Sequence, residues 1–235
     1  MKLVFLGDIH GNQAALDAVL EDVHRKPADG IYHVGDVVGY GAQPREVIAR
    51  LRAEGIEGVR GNHDERVLTG VPLPVGQAGA DLAEAGATIC DWTRGVLNAD
   101  DRVWLEQQPF LRTIETGRMK VALFHATPVD MTTPAHVDQG DDFFREMASQ
   151  TGANVHVFGH THVPFSRVVD RCWFVNAGAL NLSCDGDPRA AYAVVELNGG
   201  AAVRIVRVPF DPGPEQAAAR AAGLPSGLQG MTRAS

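Results

Sequence analysis

The sequence predicts an α/β fold in which two sheets pack face to face with helices outside. Two observations carry that expectation. Over residues 2–64 short apolar runs alternate with segments of helical period, as a largely parallel sheet requires. From residue 111 onward strand patterns dominate, interrupted by one helical segment. The 235-residue chain is 45% hydrophobic, enough for a sizeable core. No repeat or linker divides it, so residues 1–212 read as one domain. Residues 213–235 read as a C-terminal helix followed by a Gly/Ser-containing end, expected to be disordered.

The elements follow in order. "KLVFL" is a buried strand running into Gly7-Asp8, and Leu16, Val19, Leu20 and Val23 then fall at the spacing of an amphipathic helix. "IYHVGD" repeats the strand ending, with Pro44 at a first helical position, Val47, Ile48 and Leu51 on one face and Gly55 as a stop. "IEGVRGNHD" is a third strand entering a polar turn. Residues 77–107 read as helical, with Leu82, Ala85, Ile89, Trp92 and Val96 on one face and a short second helix around Val103–Leu105. "LRTIE" and "KVALFH" are strands, and residues 127–140, with two prolines and few core residues, form a long surface loop. A helix bearing Phe143, Phe144 and Met147 precedes "VHVFGHTH". The last four strand patterns, "FSRVVD", "CWFVNAG", "AAYAVVEL" and "AVRIVRV", suggest one antiparallel meander.

Composition excludes several classes of function. A formal net charge of −8 provides no basic field for an extended nucleic-acid footprint, although a small phosphorylated substrate could use local positive charge. Three cysteines, Cys90, Cys172 and Cys184, without a C-x-x-C pair, fit a reducing cytoplasm and read as buried or inert thiols. The opening residues are too short an apolar run for a signal peptide, and no run of 18 apolar residues spans a membrane. A cytoplasmic protein without membrane attachment is expected.

Chemistry concentrates where strands end. Asp8, His10, Asp36, Asn62, His63, Asp64, His125, His160 and His162 all follow predicted strands, where open α/β sheets gather their ligands. Taken singly, Asp8 would pass for a helix cap and "GNHD" for a polar turn. Taken together, Asp, Asn and His are oxygen and nitrogen donors without thiolate, suited to catalytic Mn, Fe or Zn. Asp8, His10, Asp36, Asn62, His125, His160 and His162 make seven donors, too many for one ion that must also hold substrate and sufficient for two. Two such ions can activate a shared water and clamp the oxygens of an in-line displacement at phosphorus.

The blocks "GDIHGN", "GDVVGYG", "GNHD", "FHATP" and "GHTH", in that order between residues 7 and 162, resemble the calcineurin-like metallophosphoesterase superfamily. The later "NAGALNLSCDGDPRAAYAVVEL" is similar to the closing strands of its small single-domain bacterial and archaeal members. The resemblance implies a four-layer α/β/β/α sandwich of two mixed sheets flanked by helices. It also implies two divalent ions, Mn as first choice with Fe or Zn as alternatives, with Asp8, His10 and His162 on one, Asn62, His125 and His160 on the other, and Asp36 between them. A bridging hydroxide would attack phosphorus, His63 would protonate the leaving oxygen or steady the phosphate, and Asn12 and Asp64 would orient the ligands. The substrate class implied is a phosphodiester, with a dinucleoside polyphosphate or a phosphoprotein as alternatives within the enzymes and a non-catalytic metal-binding scaffold as the rival outside them.

Ala177-Gly178-Ala179 stands where many small members carry Pro-Gly-Ser, which removes a hydroxyl and bears on substrate preference. Arg60, His136 and Arg189 are candidate substrate contacts, each with a plain reading as a surface residue. His24, His33 and His156 read as structural. The two histidines of "GHTH" are expected to share one side of a near-extended backbone and reach one ion each.

Overall fold

In a computed structural model the described residues are 1–72, 80–117 and 119–224. Their elements are β1 (Lys2–Leu6), α1 (Gln13–His24), β2 (Gly30–His33), α2 (Pro44–Ala53), β3 (Glu57–Gly58), α3 (Asn62–Thr69), α4 (Ala80–Val96) and α5 (Ala99–Glu106). Then come β4 (Leu111–Thr116), β5 (Met119–Phe124), α6 (Asp141–Thr151), β6 (Val155–Phe158), β7 (Phe165–Val169), β8 (Cys172–Asn176), β9 (Ala190–Leu197), β10 (Ala201–Val208) and α7 (Gly213–Ala221).

Two mixed five-stranded sheets result, ordered β10-β9-β1-β2-β3 and β4-β5-β6-β8-β7. Alternation along β1 shows how they stack, because neighbouring side chains leave a strand on opposite faces. Leu3 and Phe5 meet Val121 and Leu123 of β5 and Val155 and Val157 of β6 between the sheets. Val4 and Leu6 turn outward onto Leu16, Val19, Leu20, Ile48 and Leu51 of α1 and α2. The far face of the second sheet packs Phe124 and Phe174 against Phe144 and Met147 of α6. Helix, sheet, sheet and helix make the four layers the resemblance implies.

The local readings of α1 and α2 hold in detail: the Leu16–Val23 stripe and the Val47, Ile48, Leu51 face are buried, and Pro44 opens α2. Several others need correction. The last four strands are not a meander: β7–β8 and β9–β10 are antiparallel hairpins in different sheets. Strand pattern alone cannot say which sheet a hairpin joins. The third strand is only two residues long, and "GNHD" is no mere turn, since Asn62 opens α3. Helix α4 buries Ile89, as expected, together with Cys90 and Thr93, and Leu97 is buried just beyond its end, whereas Trp92 and Val96 of the expected face stay partly exposed. The expected start of that helix at 77–79, the Leu82 side chain and the tail from 225 lie outside the described residues. Of the cysteines only Cys90 is buried, whereas Cys172 and Cys184 are partly exposed. Helix α7 docks through Ala219, followed by Leu224, onto Ile89 of α4. Among the described residues no helix is long and apolar enough to cross a membrane.

Candidate metal centre

The site forms where the carboxyl ends of β1, β2 and β3 in one sheet meet those of β5 and β6 in the other. All three pairings involved are parallel, β1 with β2, β2 with β3 and β5 with β6, so their ends lie side by side. The polar residues that follow these strands converge. His10 Nε2 lies 3.0 Å from His162 Nε2, and His162 Nε2 lies 3.5 Å from Asp8 Oδ2. Asn62 Oδ1 lies 2.7 Å from His125 Nε2 and 2.9 Å from His160 Nδ1. Between these two groups stands Asp36, whose Oδ2 is 3.6 Å from His10 Nε2 and 3.4 Å from His125 Nε2.

Backbone carbonyls set the orientation of four rings. The Nδ1–H groups of His10, His125 and His162 donate to the carbonyls of Val38, Val34 and Leu182, which turns each Nε2 toward the centre. His160 is reversed: its Nε2–H donates to the Thr132 carbonyl and its Nδ1 faces inward. Such partners fix ring orientation and raise the basicity of the ligating nitrogen. The Thr132 contact ties the 127–140 loop to the site.

Local strain supports the convergence. His10, Asp36, His160 and His162 have φ between +47° and +68°, a left-handed conformation that costs side-chain-bearing residues energy. Four of the seven such non-glycine residues described belong to this cluster, so the strain is concentrated at the site. It also corrects the reading of "GHTH". The backbone there is not extended, and two left-handed residues aim His160 at Asn62 and His162 at His10.

The motif glycines have a packing role. A Cβ on Gly159 would sit 2.5 Å from Asp8 Oδ1, one on Gly61 2.2 Å from Asp36 Oδ1, and one on Gly35 2.9 Å from His125 Nδ1. Each of these three glycines is the floor beneath another block's donor.

Electrostatics fit a cation site. Burial raises the Asp8 carboxyl well above its ordinary range, and its Oδ1 is buried without a hydrogen-bond partner. For Asp36 burial works in the same direction, but the surrounding His125, His63 and His10 outweigh it and hold the carboxyl well below normal. Burial pushes His10 well down, His160 to about 3 and His162 to about 4, so all three are neutral donors at pH 7. His125 differs: burial opposes its charge, yet Asp36 and Asp8 carry its pKa up to about 9. Asp8, Asp36 and His125 offer ligand atoms all within 4.8 Å of one another. An orphaned buried carboxylate oxygen, neutral inward-facing imidazoles and an anion held between two groups are what divalent metals require.

The remaining candidates are placed as follows. His63 sits beside His10, ring centroids 4.9 Å apart, and its backbone N–H donates to Asp36 Oδ1 at 2.8 Å. Asp64 accepts from the N–H groups of Gly61 and Val38, lashing the α3 start to the loop after β2. Asn12, not Asp8, caps α1 by accepting from Ala15 N–H. Asp8 instead pairs its backbone with Gly178 and Leu180, setting the Ala177-Gly178-Ala179 turn alongside. Arg60 is engaged by Glu65, Arg189 by Asp187, and the His136 N–H by Gln139. None of these three partners is one of the seven donors. His33 is buried against Trp104, His156 stacks on Phe174, and His24 pairs with Glu54 on the surface.

Sequence reasoning missed two neighbours of the cluster. The Tyr40 ring lies 4.8 Å from that of His10 and 4.6 Å from that of His63, and its place inside "GDVVGYG" was the available signal. Cys90 Sγ lies 3.3 Å from His63 Nδ1, and no local signal marked it.

Comparison with known proteins bears on the family and the fold. A sequence model described as the calcineurin-like phosphoesterase superfamily domain matches residues 1–200. An uncharacterised protein of Methanocaldococcus jannaschii is 28% identical over 227 residues, covering 89% of this chain and 88% of its own. A symmetrical bis(5'-nucleosyl)-tetraphosphatase of Paracidovorax citrulli is 33% identical over 133 residues, covering 54% of this chain and 44% of its own. The crystal structure of a metallophosphoesterase from Sphaerobacter thermophilus superposes with a TM-score of 0.74 at 28% identity, covering 98% of this chain and 97% of that one.

Proposed function

Since this chain belongs to the calcineurin-like phosphoesterase superfamily and is a phosphoric ester hydrolase, we propose that it cleaves a phosphodiester at a centre holding two divalent ions. The observation that carries this reading is the division of the donors into two groups sharing Asp36. Asp8, His10 and His162 would hold one ion, Asn62, His125 and His160 the other, and Asp36 would serve both. Mn is the first choice because the donors are all oxygen and nitrogen, with Fe and Zn as alternatives. Ions there supply a water of lowered pKa and positive charge for the phosphoryl oxygens.

The chain's own residues do the rest. Asp36, held ionised by its histidine neighbours, places negative charge between the two groups. His63 stands at the start of α3, where the helix end favours a phosphate anion, and delivers a proton to the leaving oxygen. The Asp8 group holds two carboxylates counting Asp36, whereas the Asn62 group has Asp36 and a neutral amide. The Asn62 group would therefore neutralise its ion less, and phosphate oxygens would be held more strongly on that side. An Asn62→Asp variant with unchanged activity would count against that asymmetry.

A second reading, a dinucleoside polyphosphate substrate, is favoured by the 33% identity with the tetraphosphatase, although that similarity spans less than half of the relative. Assays with bis(p-nitrophenyl) phosphate, p-nitrophenyl phosphate and diadenosine tetraphosphate, each with Mn, Fe or Zn, distinguish the readings. Diester turnover with Mn that vanishes in His125→Ala supports the first. ADP release with little diester turnover supports the second. No bound metal and no activity with any metal would refute both, whereas bound metal without turnover of any ester would leave the metal-binding scaffold reading.

A further inference from the structure

Helix α4 reaches the site through two residues one turn apart, Gly86 and Cys90. A Cβ on Gly86 would lie 2.8 Å from Cε1 of Tyr40, so any side chain there would have to displace the Tyr40 ring or hold the helix further off. The approach puts the buried Cys90 Sγ 3.3 Å from His63 Nδ1, while Tyr40 packs against the same imidazole.

The χ2 torsion of histidine is broad and roughly two-fold. Turned by half a revolution, the His63 ring would exchange Nδ1 for a carbon and withdraw Nε2 from its place. Packing against Tyr40 does not distinguish the two settings, because both present the same flat outline. A sulfur at Nδ1 does. We infer that Cys90 is a positioning residue for His63: its sulfur engages Nδ1, selects one of the two ring settings and leaves Nε2 as the nitrogen offered to the leaving oxygen.

A thiol suits this task because it is a weak donor and a weak acceptor. It accepts Nδ1–H from the protonated ring and equally from the neutral ring that remains once Nε2 has given up its proton, so the setting survives proton transfer. Burial pushes the Cys90 thiol up to about 12, so it adds no charge beside Asp36. The inference rests on the proposed role of His63 as proton donor, and the test separates the two.

Cys90→Ala, Cys90→Ser and His63→Ala are compared with the wild type, Mn-loaded, on bis(p-nitrophenyl) phosphate and on diphenyl phosphate. The second substrate has the more basic leaving group and depends more on proton donation. Cys90→Ala should lose about tenfold more kcat on diphenyl phosphate than on the nitrophenyl ester, and Cys90→Ser should recover most of that loss. A merely structural role would lower both rates equally. If His63→Ala shows the leaving-group difference and Cys90→Ala does not, the Cys90 inference is overturned and the acid reading stands. If His63→Ala shows no difference, the acid reading falls and this inference with it. A second readout needs no metal: the ring-nitrogen 15N resonances of His63, identified by their loss in His63→Ala, should shift in Cys90→Ala and return toward wild type in Cys90→Ser. Unchanged resonances in Cys90→Ala would overturn the contact itself.

Discussion

At pH 8, loading the site with a divalent metal should expel about one proton from His125. The ring is fully buried, which disfavours its charge, but Asp36 lies 3.4 Å from Nε2 and Asp8 3.7 Å from Nδ1. Their attraction, with the hydrogen bonds to Asp36 and to the Val34 carbonyl, moves its pKa up to about 9. One unit below that value, about 90% of the metal-free molecules carry the imidazolium. A metal ligand needs the Nε2 lone pair, so about 0.9 proton leaves at pH 8, and the figure falls to about 0.5 at pH 9. His10, His160 and His162 add nothing, because burial already keeps them neutral at these pH values. Calorimetric titration with Mn in two buffers of different ionisation enthalpy counts the protons. Comparison with His125→Asn subtracts any that come from bound water or from the Asp8 carboxyl, whose pKa burial also raises. Ring 15N spectra of the metal-free protein provide the direct check, with a His125 midpoint near the same pH. A midpoint below pH 7, or equal proton release in wild type and variant, would refute the reasoning.

Three further outcomes are expected. His156 is buried, its pKa lowered to about 4, so the unfolded chain binds its proton first as pH falls. Its stabilising contribution is complete above about pH 6.5 and declines toward pH 4 by a total of about 3 kcal/mol; denaturant melts of His156→Phe should show a correspondingly flatter acid slope. Gly159→Ala places a methyl 2.5 Å from Asp8 Oδ1 and should lower metal stoichiometry, measured by elemental analysis, while far-ultraviolet circular dichroism stays native. Asp64→Asn keeps one acceptor for two buried N–H groups, those of Gly61 and Val38, and should cost about 1–3 kcal/mol in denaturant melts as well as metal affinity. Retention of both in that variant would remove Asp64 from the account of the site.

Much of this protein is written in local pattern. The strand that ends in Gly7-Asp8 and the helix stripe from Leu16 to Val23 could be read from spacing, because burial on one face imposes a period on the chain. The donor residues were legible for a related reason. They follow strands, and the parallel ends of β1, β2, β3, β5 and β6 bring such positions to one edge. Their residue types then restricted the chemistry to oxygen and nitrogen coordination of metal.

What local pattern could not supply was decided by contacts far apart in sequence. The strand signals of β7 to β10 read the same in one sheet or two, since alternation records which face is buried and not which neighbour pairs. His10 and His162 meet across 152 residues, and the left-handed turns that aim His160 and His162 exist because the surrounding fold holds them against their own preference. Cys90 carried no mark of its own. Its sulfur touches His63 because α4 packs closely against Tyr40 at Gly86. The sequence by itself marked the candidate donors and the layers; the tertiary structure decided which of those residues lie together, which ring nitrogen each turns inward and what touches His63, because those depend on distance in space and not on spacing along the chain.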